Sequence, residues 1–406
     1  MHKRLADLQQ TPSAVRRRDF VSSATTLALG SLATWGPGVQ AADARGREGS
    51  ENPFSRRTAT RIIANARKIV TPNGIERLTT VRIGGIEQWV SVRGSDKRNP
   101  VLLFIHGGPG YVSIPMSWWF ARGWEDYFTV VQWDQRGAGK TYLLNSPAAI
   151  APTMTLERMI ADAEEMLQWA AGELGKSKLF VVGHSWGSFL GLELARRHPA
   201  ALHAYIGVGQ LTNGPESERR GWRFALDAAR AAGNSEAVRE LEAIAPYFPT
   251  GRCSSLEHIY AQRRWLDYYG GTMAFRHGNA AESDLASLSP DYTAAEIAHI
   301  WDGNGFSERH LLRNVLCMDL SSTRELLCPV LVFAGRHDVD VNAELAAQWL
   351  ATVRAPYKQF VWFEEAAHLL MTEMPGRFLY SLLQYARPIA ERAGDAPITP
   401  APRHSL

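Results

Sequence analysis

The sequence predicts an α/β fold, a mostly parallel central sheet flanked by helices, with a mostly helical segment inserted after the strand that ends near Val208. Three observations carry this expectation. Short apolar runs such as Val101-Leu102-Leu103-Phe104-Ile105 carry no polar residue, as expected of strands buried on both faces of a sheet. Stretches of helical period separate these runs, which asks for crossover connections and parallel pairing. Strand signals then vanish between Gln210 and about Asn314 and resume at Val330.

In chain order, Arg16-Arg17-Arg18-Asp19-Phe20-Val21 precedes a weakly apolar run from Ala24 to Trp35, and small residues follow at Val39-Gln40-Ala41 and Ala42-Asp43-Ala44. Twin arginines before a modest apolar stretch and an A-x-A type cleavage site look like a bacterial twin-arginine export signal. Residues 1–44 are therefore expected to be removed, leaving a mature chain that begins near Ala42 or Arg45. The twin-arginine translocase would be a partner during export, and the destination periplasmic or secreted. The segment is too short and too polar for a stable membrane span, and no cysteine stands at the cleavage region to take a lipid.

Residues 45–61 are polar and without period, and read as a linker; strand signals begin at Ile62. The first half of the core is expected over residues 62–209. Residues 79–83 and 87–93 bracket Gly84-Gly85, a hairpin signal built from residues that tolerate positive φ. The run at 101–105 ends at His106-Gly107-Gly108-Pro109-Gly110, and a second at 127–133 ends at Asp134-Gln135-Arg136-Gly137. Met159, Ala163, Met166, Leu167 and Ala170 recur at helical spacing, with Thr155 as N-cap and Gly175 as stop. A strand at 178–182 leads into a helix at 188–197 that His198-Pro199 ends, and residues 204–208 form the next strand.

A helical cap or lid is expected over residues 210–325, with helices near 218–232 and 236–244. Its aromatics Trp222, Phe224, Tyr247, Phe248, Tyr260, Trp265, Tyr268 and Tyr269 are expected to form mainly the cap's own core. Residues 326–392 complete the main core, with strands at 330–334 and 359–363, helices at 343–352 and 375–385, and an unstructured tail at 393–406.

A chain of 406 residues, 45% hydrophobic and 21% charged, can bury one large core. Its formal net charge of +3, with several arginines in the export segment, gives no support to nucleic-acid binding. Cys253, Cys317 and Cys328 lack the spacing of a zinc site; export permits one disulfide, whose pairing the sequence leaves open.

The chemistry centres on Gly183-His184-Ser185-Trp186-Gly187, a G-x-S-x-G motif between a strand and a helix. Such a nucleophile elbow lifts a serine hydroxyl above the sheet edge in a strained conformation that leaves no room for flanking side chains. A serine needs a base, and the base needs an acid to fix its tautomer. In the α/β-hydrolase arrangement these follow in the order serine, acid, histidine, each on a loop after a strand. Asp338 and His368 stand in that place and order; Asp340 is a rival acid, set second because Asp338 directly follows the strand end. His337 adjoins its own acid and His184 is held in the elbow, so neither suits the base. Oxyanion donors are expected from the backbone of Trp186 and of Gly107 or Gly108. This chemistry calls for no metal and no cofactor.

His106-Gly-Gly-Pro-Gly110, Trp133-Asp-Gln-Arg-Gly-Ala-Gly139 and Gly183-His-Ser-Trp-Gly-Ser188 together resemble the proline iminopeptidase-type branch of the α/β-hydrolase superfamily, over roughly residues 75–210 and 325–390. The resemblance implies a serine peptidase that releases an N-terminal residue, often proline, from short peptides; the branch also includes esterases, lactonases and amide hydrolases. It further implies that cap carboxylates hold the substrate's amino terminus, for which Glu216, Glu218 and Asp267 are candidates. Asp267 stands where the family usually has glutamate. A small-molecule or short-peptide substrate is thus expected, with carboxylesterase or lactonase activity as the alternative and a noncatalytic binding protein as the reading from another class.

Overall fold

The computed structural model describes residue 52 and residues 55–397; the expected export segment and the end of the expected tail lie outside the described residues. Eight strands form one sheet: β1 (Ile75–Ile83), β2 (Ile86–Gly94), β3 (Val101–Ile105), β4 (Thr129–Trp133), β5 (Leu179–His184), β6 (Leu202–Val208), β7 (Val330–Gly335) and β8 (Lys358–Phe363). Their order is β1-β2-β4-β3-β5-β6-β7-β8. β2 pairs antiparallel with β1 and β4, and every pairing from β4 to β8 is parallel.

Alternation along the apolar runs explains why they lack polar residues. Val101, Leu103 and Ile105 enter one hydrophobic cluster while Leu102 and Phe104 enter the other, so the sheet is covered on both faces. Gly84 and Gly85 close the β1–β2 hairpin at φ +57° and +80°. Thr155 caps the helix Leu156–Glu173 by accepting from Arg158 N, and all five of the expected core residues of that helix are buried.

The registers bring the four loops that carry the candidate site residues to one edge. Ile105 pairs with Gly183, His184 with Val208, and Gly335 with Phe363, so β3, β5, β7 and β8 end side by side. The loops that leave those ends carry, in the same order, His106 to Gly110, Ser185, Asp338 and His368.

Between β6 and β7 the structure has helices and no named strand, including Gly214–Ala231, Leu256–Tyr268 and Ile300–Leu316. Its two chain ends meet: Gly214 N donates to Met318 O at 2.9 Å and Leu320 N to Thr212 O. Cys253 and Cys317 are joined by a disulfide inside this segment, and Cys328 is buried and free. Of its aromatics, Tyr247, Phe248 and Trp265 are buried as core, while Tyr260 is 42% exposed.

The structure differs from the sequence expectation at both ends of the described chain. A helix, Arg56–Arg67, occupies the end of the expected linker and the start of the expected strand region. Its stabilisation is long-range: Arg56 donates to the carbonyls of Ser287, Ser289 and Tyr292, and Arg67 pairs with Glu125 and Asp291. At the other end, Asp395 lies in the expected tail yet pairs with His203 at 2.9 Å and with Lys176. The final expected helix also breaks up, with a wider turn at Leu382–Ala386 between Pro375–Ser381 and Arg387–Arg392.

Candidate active site

Ser185 sits at φ +54° and ψ −120°, a conformation that only the surrounding packing can hold. A Cβ on Gly183 would stand 2.3 Å from Gly187 O, and one on Gly187 would stand 2.2 Å from Ile105 O. The two glycines of the motif are therefore required by close backbone approach, and β3 is pressed against the turn. Gly107 continues that contact: a Cβ there would lie 3.1 Å from Ser185 Cβ and 3.0 Å from His184 Nδ1.

The loop after β4 braces both motifs from behind. Trp186 Nε1 donates to Gln135 Oε1 at 2.9 Å, while Gln135 N donates to His106 Nε2 and Gln135 Nε2 to His106 O. Arg136 is buried and donates to Asp162 at 2.8 Å and to Gly84 O at 2.8 Å, tying this loop to the β1–β2 hairpin. Burial holds His106 down to about 4, so it is neutral and accepts from Gln135 N.

Asp338 Oδ2 accepts from His368 Nδ1 at 2.8 Å, both groups being buried. The other oxygen of Asp338 accepts from Val341 N, which fixes the carboxylate's orientation. Burial alone would lower the His368 pKa, but the carboxylates of Asp338 and Asp340 outweigh it and push the group up to about 9. The backbone of His368 is held from two sides. His368 N donates to Thr272 O at 3.0 Å, and His184 Nε2 donates to His368 O at 3.0 Å. His184 itself is pushed down to about 3 by burial and by neighbouring His368, which keeps it neutral in that bond.

Ser185, Trp186, Gly108 and His368 line one cavity of about 370 Å³, to which the helices Leu256–Tyr268 and Ile300–Leu316 also contribute walls. The sheet edge and the helical segment thus share a single space. Asp267, Glu308 and Asp340 bring carboxylates to it, and Arg263 and Arg264 bring guanidinium groups. Asp267 Oδ1 is buried with no hydrogen-bond partner among the described residues. Burial and the nearby Asp340 charge raise the Asp267 pKa, and burial raises that of Glu308. Carboxylates in that condition are stabilised by an arriving cation.

Of the three acids that the sequence offers for an amino terminus, the structure brings only Asp267 to the cavity. Glu216 faces Arg219 and Arg220 at 3.0 and 2.9 Å on its own helix, away from the cavity. Glu218 is buried behind the cavity wall, where it accepts from Tyr247 Oη at 2.6 Å and pairs with Arg263. Both belong to a helix whose position in three dimensions the sequence does not encode locally. Glu308 escapes sequence reasoning, since it looks like any solvated acid on a helix of mixed composition, and Asp340 stands out there only as a rival triad acid.

A family model described as alpha/beta hydrolase fold matches residues 100–373. The chain belongs to the α/β-hydrolase family. Within it, the hydrolase is 30% identical over 309 residues to a probable aminopeptidase of Bacillus subtilis, a match covering 75% of this chain and 94% of the relative. A probable proline iminopeptidase of Streptomyces coelicolor is 28% identical, over 70% of this chain and 87% of its own length. These relatives place the hydrolase in the proline iminopeptidase-like branch. Among solved structures, a proline iminopeptidase-related protein of Thermus thermophilus superposes with a TM-score of 0.56 at 23% identity, covering 78% of this chain and 98% of that one. The proline iminopeptidase of Mycobacterium smegmatis gives 0.54 at 21% identity, over 78% and 100% of the two chains. These two likenesses concern the fold.

Proposed function

We propose that the hydrolase is an exported serine aminopeptidase of the proline iminopeptidase type, releasing an N-terminal residue from short peptides through an acyl-enzyme. Ser185 attacks the carbonyl carbon, His368 takes the hydroxyl proton and returns it to the leaving amine, and Asp338 holds the imidazole by Nδ1. The backbone N–H groups of Trp186 and of Gly107 or Gly108 receive the oxyanion; the approach of Gly107 to Ser185 supports that role. Water then attacks the acyl-enzyme with His368 again as base, and the released acid carries the former N-terminal residue.

The observation that carries the peptidase reading is the acidic wall beside Ser185. Asp267, with an oxygen left unpaired in a buried place, fits the ammonium of a free N-terminus and has nothing to offer a neutral ester. The probable aminopeptidase of Bacillus subtilis, matched along most of both chains, supports the same reading. Export rests on the twin-arginine sequence at Arg16-Arg17, and the Cys253–Cys317 bridge supports an oxidising destination.

The test compares a prolyl arylamide with a short-chain nitrophenyl ester. Cleavage of the arylamide, abolished by N-acetylating its amino group where the residue allows it, is the expected outcome. Rapid ester cleavage with an inert arylamide would replace the peptidase with a carboxylesterase.

A further inference from the structure

His368 is flanked by carboxylates at both ring nitrogens. Asp338 Oδ2 lies 2.8 Å from Nδ1, and Asp340 Oδ2 lies 3.5 Å from Nε2, the nitrogen that must receive the serine proton. Among the described residues no hydrogen bond joins Ser185 to His368. Asp340 is held in this place from the far side. Its Oδ1 is 2.9 Å from Arg263 Nε, while the rest of that guanidinium is engaged by buried Glu218 and, at 2.8 Å, by Gln262 Oε1. Arg263 is thus a cation whose three nitrogens each have a partner in the protein, and Asp340 is a carboxylate that faces both the base and the cavity.

We infer that Asp340 is a specificity-determining residue that couples the charge of the substrate to the readiness of the base. In the free enzyme its carboxylate favours a proton on Nε2 of His368. A substrate ammonium entering the cavity takes over that carboxylate, the Nε2 proton leaves to solvent, and the neutral nitrogen is free for the Ser185 hydroxyl. One cation enters and one proton departs, so the charge of the cavity is conserved. This deepens the aminopeptidase reading and rests on it for the identity of the cation.

The groups around His368 bear on this balance from each side. Asp338 and Asp340 come from the loop after β7, His184 from the end of β5 with ring centroids 4.8 Å apart, Arg263 from the helix Leu256–Tyr268, and Glu373 from the short helix Leu370–Glu373. Burial and Arg263 favour the neutral ring, and the two aspartates override them. Removing the influence of one aspartate, by substitution or by a competing ammonium, shifts the ring towards neutrality. Asp338 cannot be the one released, because it holds the tautomer. Asp340 can.

The experiment is a pair of pH–rate profiles, on the cationic prolyl arylamide and on the neutral nitrophenyl ester, for the wild-type chain and for Asp340→Asn. In the wild type the acid limb of kcat, which reports the complex, is expected to lie about one unit or more below that of kcat/KM on the arylamide, whereas the two limbs coincide on the ester. In Asp340→Asn the ester limb is expected to move down by about one unit, raising ester kcat/KM at pH 7 roughly tenfold, while arylamide kcat/KM falls roughly tenfold. A variant damaged only in folding loses both activities and moves no limb. Coinciding limbs on both substrates, or an unmoved ester limb in Asp340→Asn, would overturn the inference. Should the wild type leave the arylamide untouched, the peptidase reading fails by itself, and the ester limb of the variant still decides whether Asp340 governs His368.

Discussion

The sheet edge and the helical segment above it contribute to one cavity, yet they are built on different terms. At the edge, the candidate groups stand on backbone fixed by close approach and register: glycines allow approaches that no other residue could make, and parallel registers align the ends of β3, β5, β7 and β8. In the helical segment, function depends on side chains whose neighbours are distant in sequence, such as Arg263 with Glu218 and Asp340. On the proposed function, the edge would determine how a bond is broken, and the helical wall which substrate is brought to it.

That contrast can be broken at the edge first. Ser185→Ala is expected to lower kcat about 10⁴-fold or more on both arylamide and ester, because both substrates use the same nucleophile. Asp338→Asn should lose about 10⁴-fold on both as well, with the fold intact by circular dichroism, since the amide leaves His368 in the wrong tautomer. Equal losses on the two substrates are the signature of the edge.

The helical segment should respond selectively. Breaking the Cys253–Cys317 bridge by Cys253→Ser frees a closed loop with a sequence separation of 64 residues, worth about 4 kcal/mol by loop-closure entropy. Limited proteolysis should then cut the helical segment before the sheet, and cleavage that begins in the sheet would show that the two regions unfold as one. Asp267→Asn should cost about 2 kcal/mol, or roughly thirtyfold, in arylamide kcat/KM and leave the ester rate within about twofold. Glu216→Gln is the smallest expected effect: its half-exposed pairs with Arg219 and Arg220 are worth less than about 1 kcal/mol, and neither substrate should register the change.

The same contrast separates what the sequence discloses from what it hides. Strands β3, β5 and β7 are legible because burial on both faces demands uninterrupted apolar runs, and Ser185 and Asp338 stand out as candidates because each comes just after such a run, whereas His368 follows the less buried β8 and stands out by its order in the chain. The helix Arg56–Arg67 is not, since its polar sequence is held by carbonyls more than 200 residues away, Arg56 to Ser287 among them. Glu216, Glu218 and Asp267 look alike as helix acids. Only tertiary packing distinguishes Asp267, whose carboxylate reaches the cavity, from Glu218, whose carboxylate is taken up by Tyr247 and Arg263. Asp340 is two residues from Asp338, the candidate triad acid, in sequence, and its place at Nε2 comes from the turn between them rather than from any motif.

The central claim is that Ser185 is an activated nucleophile in the folded hydrolase. Treating the chain with a fluorophosphonate and mapping the adduct by mass spectrometry tests it directly. The account predicts a single covalent adduct on Ser185, formed stoichiometrically and lost in Ser185→Ala; a folded protein that stays unlabelled, or an adduct on another serine, would contradict it.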